Sequence, residues 1–154
     1  MTQAPDMIIL SDDAARLDVA RIHAWLASSY WSPGISRDLV ERAIAGSHCL
    51  GAYHGDDQVG FARMITDHAT FAWLADVWID EAARGNGLGR QMVQWFLDHP
   101  GFAGLRRIAL TTIDAHGVYA PLGFNAPVRP ERYMERLDQV FAARIGSELA
   151  GDGA

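Results

Sequence analysis

The most constraining feature of this chain is a glycine-rich loop set between an apolar run and an amphipathic one: Val77-Trp-Ile-Asp-Glu-Ala-Ala-Arg84-Gly-Asn-Gly87-Leu-Gly89-Arg90. Phe71 to Asp80 reads as a strand, with hydrophobic residues on both alternating faces (Phe71, Trp73, Val77, Ile79 against Leu74, Trp78), which predicts burial on both sides and a central place in a sheet. Leu88, Met92, Trp95 and Phe96 recur at helical spacing until His99-Pro100-Gly101 stops them. Glycines at 85, 87 and 89 let the backbone turn sharply and come close to a ligand. A loop that opens a helix aims free N–H groups and the positive end of the helix dipole at one point, an anion site and above all a phosphate site. Arg84 and Arg90 flank it.

Two nucleotide-binding alternatives fit poorly. A dinucleotide fingerprint needs G-x-G-x-x-G, and the spacing here is G-x-G-x-G in mid-chain. A nucleotide phosphate loop needs a lysine, and all 13 basic residues are arginine. A turn with glycines for geometry alone stays open on the loop by itself.

The rest of the chain supplies a frame for that loop. Met7 to Leu10 predicts a first strand, and Leu17 to Leu26 an amphipathic helix ending near Tyr30-Trp31-Ser32-Pro33-Gly34. Ser36 is a cap for a helix over Arg37 to Ala45, closed by Gly46. Cys49 to His54, a polar turn, and Gln58 to Thr66 predict a hairpin. After the long helix come a strand over Arg107 to Thr112, a short helix over Asp114 to Tyr119, a last strand over Tyr133 to Leu137, and a helix over 138–149, with 151–154 a frayed tail. The expectation is one α+β domain spanning 1–154.

The whole glycine element resembles the signature of the GNAT N-acetyltransferase superfamily: Arg84-x-x-Gly87-x-Gly89 after a strand and opening a helix, with Tyr119-Ala-Pro-Leu-Gly123-Phe124 similar to the family's Tyr-x-x-x-Gly-Phe. Element order agrees from about Met7 to Leu137. The resemblance implies a central, mixed but mostly antiparallel twisted sheet of 6–7 strands, flanked by about four helices and splayed between its two central strands. It implies acetyl-CoA as acyl donor, with no metal. Its pantetheine arm would pair with the backbone at Val77 and Ile79, and its pyrophosphate would lie on Arg84, Gly85, Asn86, Gly87, Leu88, Gly89 and Arg90. A backbone N–H near the thioester would stabilise the developing oxyanion.

Tyr119 matches the family's general acid for the departing thiolate; a phenol near pKa 10 and a thiol near 8.5 can share a proton. Read by itself, it is equally a core tyrosine. The family's strand glutamate, a base for the amine, falls on Trp73 here. Asp76, alone in charge between Phe71 and Ile79, is the substitute base or else an ion-pair partner of an arginine such as Arg63. Tyr30 and Trp31 fit the wall of the acceptor pocket or a lid over the core. His116, with Asp114, lies near Tyr119 in sequence and fits the acceptor side of the site or a solvent-facing or helix-capping role. The asparagine that many relatives place near Thr111-Thr112-Ile113-Asp114 is missing.

A formal net charge of −6 weighs against a nucleic-acid partner and suits an amine-bearing acceptor, a small molecule or a peptide. No apolar run reaches membrane-spanning length, the N-terminus lacks a signal-peptide pattern, and the one cysteine, Cys49, forms no disulfide framework; a cytoplasmic monomer or homodimer is expected. His23, His48, His54, His68 and His99 show no metal-ligand spacing along the chain. A non-catalytic acyl-CoA-binding module of the same fold is the alternative.

Overall fold

The computed structural model describes residues 7–151, with side-chain environments for 7–146. Five strands form one sheet in the order β1-β2-β3-β4-β5: β1 Ile8–Ser11, β2 His48–His54, β3 Asp57–Thr66, β4 Phe71–Ile79 and β5 Arg107–Ala109. The first four run antiparallel to their neighbours and β5 runs parallel to β4. The helices are α1 Val19–Ala27, α2 Arg37–Ala45, α3 Leu88–Asp98, the single turn α4 His116–Tyr119, and α5 Gln139–Gly151. None of the described helices is long and apolar enough to cross a membrane.

Local chemistry explains the helix ends. Asp18 accepts from the Arg21 N–H to start α1, and Ser36 accepts from the Leu39 N–H to start α2. Each side chain satisfies a donor that the first turn leaves free. In α3 the N-cap is Gly87, left-handed at φ 75° and with no side chain to fill that role.

Two apolar clusters hold the sheet. Leu50, Ala52, Ala62, Met64, Ala72 and Leu74 pack with Leu88, Met92, Val93 and Phe96 of α3. On the other side Cys49 and Phe61 pack with Ile22, Trp25, Leu26 and Val40 of α1 and α2. Neighbouring residues such as Cys49 and Leu50 fall in different clusters, as the alternation of a strand demands.

Asp76 breaks that alternation within β4. Arg63 pairs with Ala75 and Phe61 with Trp78, so two residues of β4 oppose the single Ala62 of β3. This is a β-bulge, and Asp76 takes a left-handed φ of 55° in it. The extra residue exchanges the faces beyond it. Val77 and Ile79 join Ala72 and Leu74 against α3, while Trp78 faces the α1–α2 side. The unbroken alternation expected from the sequence is corrected accordingly. β4 is also interior rather than central, fourth of five, and its pairing with β5 covers only Phe71, Ala72 and Trp73.

The expected count of 6–7 strands is likewise corrected: the described residues form five strands, with five α-helices instead of about four. Tyr133 to Leu137 forms no strand, and Tyr133 and Met134 are exposed. Their charged neighbours Glu135 and Arg136 break the alternation, and without a neighbouring strand the backbone has no ladder to join. The fifth strand ends at Ala109 rather than Thr112. The chain divides into two compact units, one running to Phe124 and holding the whole sheet, the other beginning at Asn125 and holding α5.

Candidate active site

The C-terminal half of β4, the glycine loop and the start of α3 form one continuous surface feature. Gly85 and Gly87 both take left-handed φ values, 89° and 75°, and a Cβ at either would meet nothing within 4 Å. The glycines there serve conformation and open approach, not packing. Gln91 N–H makes the first helical bond, to the Gly87 carbonyl. The amides of Leu88, Gly89 and Arg90 precede it, in the turn where N–H groups have no intrahelical acceptor. Leu88 plugs the core at 5% exposure and pins the loop, while Gly85, Asn86, Gly87 and Arg90 face solvent.

Arg84 does not extend freely from this loop. Its Nε donates to the Ile79 carbonyl at 2.8 Å, and its guanidinium lies 5.2 Å from the centre of the Trp78 ring. It therefore clamps the end of β4 to the loop that follows. The sequence reading placed Trp78 on the same face of the strand as Leu74. The bulge explains why it turns instead toward the α1–α2 side.

On that side, Asp76 is the centre of a small polar constellation. Its carboxylate accepts from Arg63 Nε at 2.6 Å and from Trp31 Nε1 at 2.8 Å, one donor on each oxygen. The Arg63 and Asp76 side chains are only 16% and 9% exposed. Arg63 also donates to Ser47 Oγ at 3.1 Å. Of the two roles open to Asp76 in the sequence, the ion pair with Arg63 is thus present. As a base it would take a proton on a lone pair that these two donors leave open. Beside it lies a cavity of about 40 Å³ lined by Leu26, Ser32, Ile35, Phe61, Arg63 and Asp76, large enough for water and too small for a substrate.

Trp31 carries the constellation outward. Its ring stands edge-on to Tyr30 at 4.9 Å and 5.9 Å from Trp78. Tyr30 is half exposed and close enough to Tyr119 to act on its ionisation. Burial, with lesser contributions from Tyr30 and Asp114, pushes the Tyr119 phenol above its ordinary pKa. A raised pKa keeps that proton in place through the neutral range. The Tyr119 ring packs edge-on against Phe124, 5.9 Å away, and against the α3 side of the core. Core packing and a protonated hydroxyl therefore coexist in one residue.

The structure thus links Trp31, Asp76 and Arg63 directly, and Tyr30 with Tyr119 through space. Val77 and Ile79 lie on the stretch of β4 that β5 does not pair. His116 shares α4 with Tyr119 and is exposed. Trp73 is half-buried and sits between Ile65 and Ala109 in the ladder.

Comparison with known proteins gives consistent results. Residues 18–124 match the model of the acetyltransferase (GNAT) family. A protein of Gibberella zeae, provisionally named an acetyltransferase, is 34% identical over 158 residues, covering 89% of this chain and 88% of its own. A crystal structure from Xanthomonas campestris pv. campestris, provisionally assigned as an acetyltransferase of the GNAT family, is 41% identical with a TM-score of 0.83. That alignment covers 86% of this chain and 94% of the other. A Staphylococcus aureus protein described as a probable acetyltransferase shares the fold at TM-score 0.70 and 17% identity, over 86% of this chain and 99% of its own.

Proposed function

The chain belongs to the GNAT acetyltransferase family, and from that premise we propose that it moves an acetyl group from acetyl-CoA to the primary amine of a small molecule or peptide by direct transfer. The observation that carries this reading is the glycine-capped start of α3, directly after a stretch of β4 that lacks a second partner strand. The amides of Leu88, Gly89 and Arg90 suit a diphosphate, and the backbone at Val77 and Ile79, which β5 does not pair and where only the Ile79 carbonyl already takes the Arg84 donor, suits an extended pantetheine arm.

The transfer then needs few side chains. The neutral amine attacks the thioester carbonyl, the C–S bond breaks, and the departing thiolate takes the phenolic proton of Tyr119. The amine gives up a proton in turn. At pH 7 an alkylamine of pKa near 10 is neutral in about one molecule in a thousand, so that proton must have a route out. We read Asp76 as the anchor of Trp31 and Arg63, with water in the adjoining cavity relaying the proton. Direct proton capture by Asp76, on a lone pair beside its two donors, is the variant of this scheme. Tyr30 and Trp31 present aromatic faces to a cationic acceptor before it is deprotonated, with His116 at the rim.

A second reading, an acyl-CoA-binding module without turnover, is favoured by Trp73 in place of a strand glutamate and by the engagement of both Asp76 oxygens with Arg63 and Trp31. Calorimetric titration with CoA, followed by thiol release from acetyl-CoA across a panel of amines, separates the two. Binding with amine-dependent release is the expected result. Binding without release for any amine supports the module, and no heat for CoA or acetyl-CoA defeats both.

A further inference from the structure

At the end of β4 and α3 away from the glycine loop, the fold gathers four titratable side chains from separate elements. Asp12 follows β1, His48 opens β2, His68 lies in the turn between β3 and β4 with a left-handed φ of 56°, and His99 caps the end of α3. Asp12 Oδ2 lies 2.9 Å from His48 Nε2 and 3.8 Å from His99 Nε2. All three atoms fall within 4.8 Å of one another. His48 Nδ1 lies 2.9 Å from His68 Nε2.

We propose that this cluster is a binding site for a divalent transition-metal ion of the zinc type. The ligands are Asp12 Oδ2, His48 Nε2 and His99 Nε2, and His68 orients His48 from behind. Two imidazoles and one carboxylate are a donor set that favours such ions over calcium or magnesium, which select oxygen. Three donors around a tetrahedral ion at 2.0–2.2 Å stand about 3.3 Å apart, so small side-chain rotations close the present spacing. Once His48 carries its proton on Nδ1, the His48–His68 contact becomes the outer-sphere hydrogen bond that a ligating histidine makes.

The surroundings hold the rings in place and leave one direction open. Phe102 and Phe96 pack on His48 with ring centres 5.1 and 6.0 Å away, and Trp95 packs on His99 at 4.9 Å. The ligand side chains remain reachable, at 41% exposure for Asp12, 17% for His48 and 28% for His99. A cavity of about 270 Å³ lined by Asp12, Ser47, His48, Cys49 and His68 adjoins them, leaving a fourth coordination position for solvent or an added ligand.

Proton positions state what binding must change. A carboxylate accepts only, so His48 carries its proton on Nε2 and takes the His68 Nε2–H on Nδ1. Gly101 N–H donates to His99 Nδ1 at 2.9 Å, which leaves the proton of neutral His99 on Nε2, toward Asp12. The ion replaces both Nε2 protons. The His48 proton moves to Nδ1 and is donated to His68, whose own proton shifts from Nε2 to Nδ1, and the His99 proton moves to Nδ1 at the expense of the Gly101 bond. The ion would tie β1, β2 and the end of α3 together, about 16 Å along α3 from the glycine loop, and does not depend on the acyl-transfer reading.

The test is calorimetric titration of tag-free, chelator-treated protein with zinc, with cobalt absorption spectra as a second probe and circular dichroism as a check on folding. One equivalent of zinc should bind, with a rise in melting temperature. Asp12→Asn and His99→Gln should each weaken binding at least tenfold, and His54→Gln, outside the cluster, should leave it within twofold. Two substitutions at different ligands keep the test open if one of them misfolds. No stoichiometric binding by the native protein, or tight binding that survives either folded variant, overturns the site.

Discussion

At the scale of single residues, the buried Arg63–Asp76 pair and the Tyr119 hydroxyl carry opposite obligations. Arg63→Met would leave the Asp76 carboxylate, 9% exposed, with only the Trp31 donor. Removing one partner of a buried pair costs about 3–5 kcal/mol, so urea unfolding should show a loss of that order, largely recovered in Arg63→Met/Asp76→Asn, which discards the charge while keeping the Trp31 acceptor and a residue that tolerates the left-handed φ of 55°. Tyr119→Phe removes no ion pair, so it should fold with nearly native stability while acetyl transfer falls roughly 10²–10⁴-fold, the usual worth of a positioned acid. The active form is the protonated phenol, and burial raises its pKa. Activity attributable to it should therefore hold across neutral pH and decline only as pH climbs past the ordinary tyrosine range, a limb absent from Tyr119→Phe. Cys49 tests the same physics where no chemistry is proposed. Burial pushes its thiol up to about 11, so it should react with disulfide reagents at pH 8 only after unfolding. The stability tied to its neutral form is complete below its ordinary pKa of 9.0 and is lost as pH rises toward 11. Composition and pattern singled out Asp76 because a lone charge in an apolar strand needs a partner. They could not reveal that Trp31, 45 residues earlier, supplies the second donor, because nothing local encodes a contact across two elements.

At the scale of elements, boundaries were legible wherever a local signal fixes the backbone. Ser36 and Gly46 mark α2 at the residues where it begins and ends, and His99-Pro100 stops α3. What escaped the sequence was pairing. The bulge at Asp76 depends on the register between β3 and β4, and Tyr133 to Leu137 has strand-forming residues without a neighbour to pair with. Both are long-range properties that periodicity cannot contain. The glycine loop stands between these cases, since its spacing was readable and its conformation follows from it. Gly87 at φ 75° tests that link. Gly87→Val places a β-branched side chain in the left-handed region, where even an ordinary residue loses about 1–2 kcal/mol, and should lower stability by at least that amount in urea titration. Gly87→Asn tolerates the conformation and should unfold within about 1 kcal/mol of native, yet it sets a side chain over the α3 amides. A loss of CoA affinity in Gly87→Asn with stability retained would tie the loop to ligand approach. Unchanged affinity would return it to the status of a turn.

At the scale of the whole molecule, every residue assigned to cofactor or acceptor lies before Phe124, in the unit that contains the sheet, and the unit beginning at Asn125 contributes none. A ligand stabilises only what it binds in the folded state. At a hundred times its dissociation constant, CoA should add about 2.7 kcal/mol to the unit it occupies. With a shift of about 2–4 °C per kcal/mol for a protein of this size, scanning calorimetry should move the main transition up by roughly 5–10 °C. Any separate heat absorption from residues after 125 should stay where it was, because it has no ligand to release. NAD at the same concentration should move neither, since the G-x-G-x-G spacing lacks the third glycine position of a dinucleotide loop. A shift with NAD but not CoA would reassign the glycine loop to another cofactor.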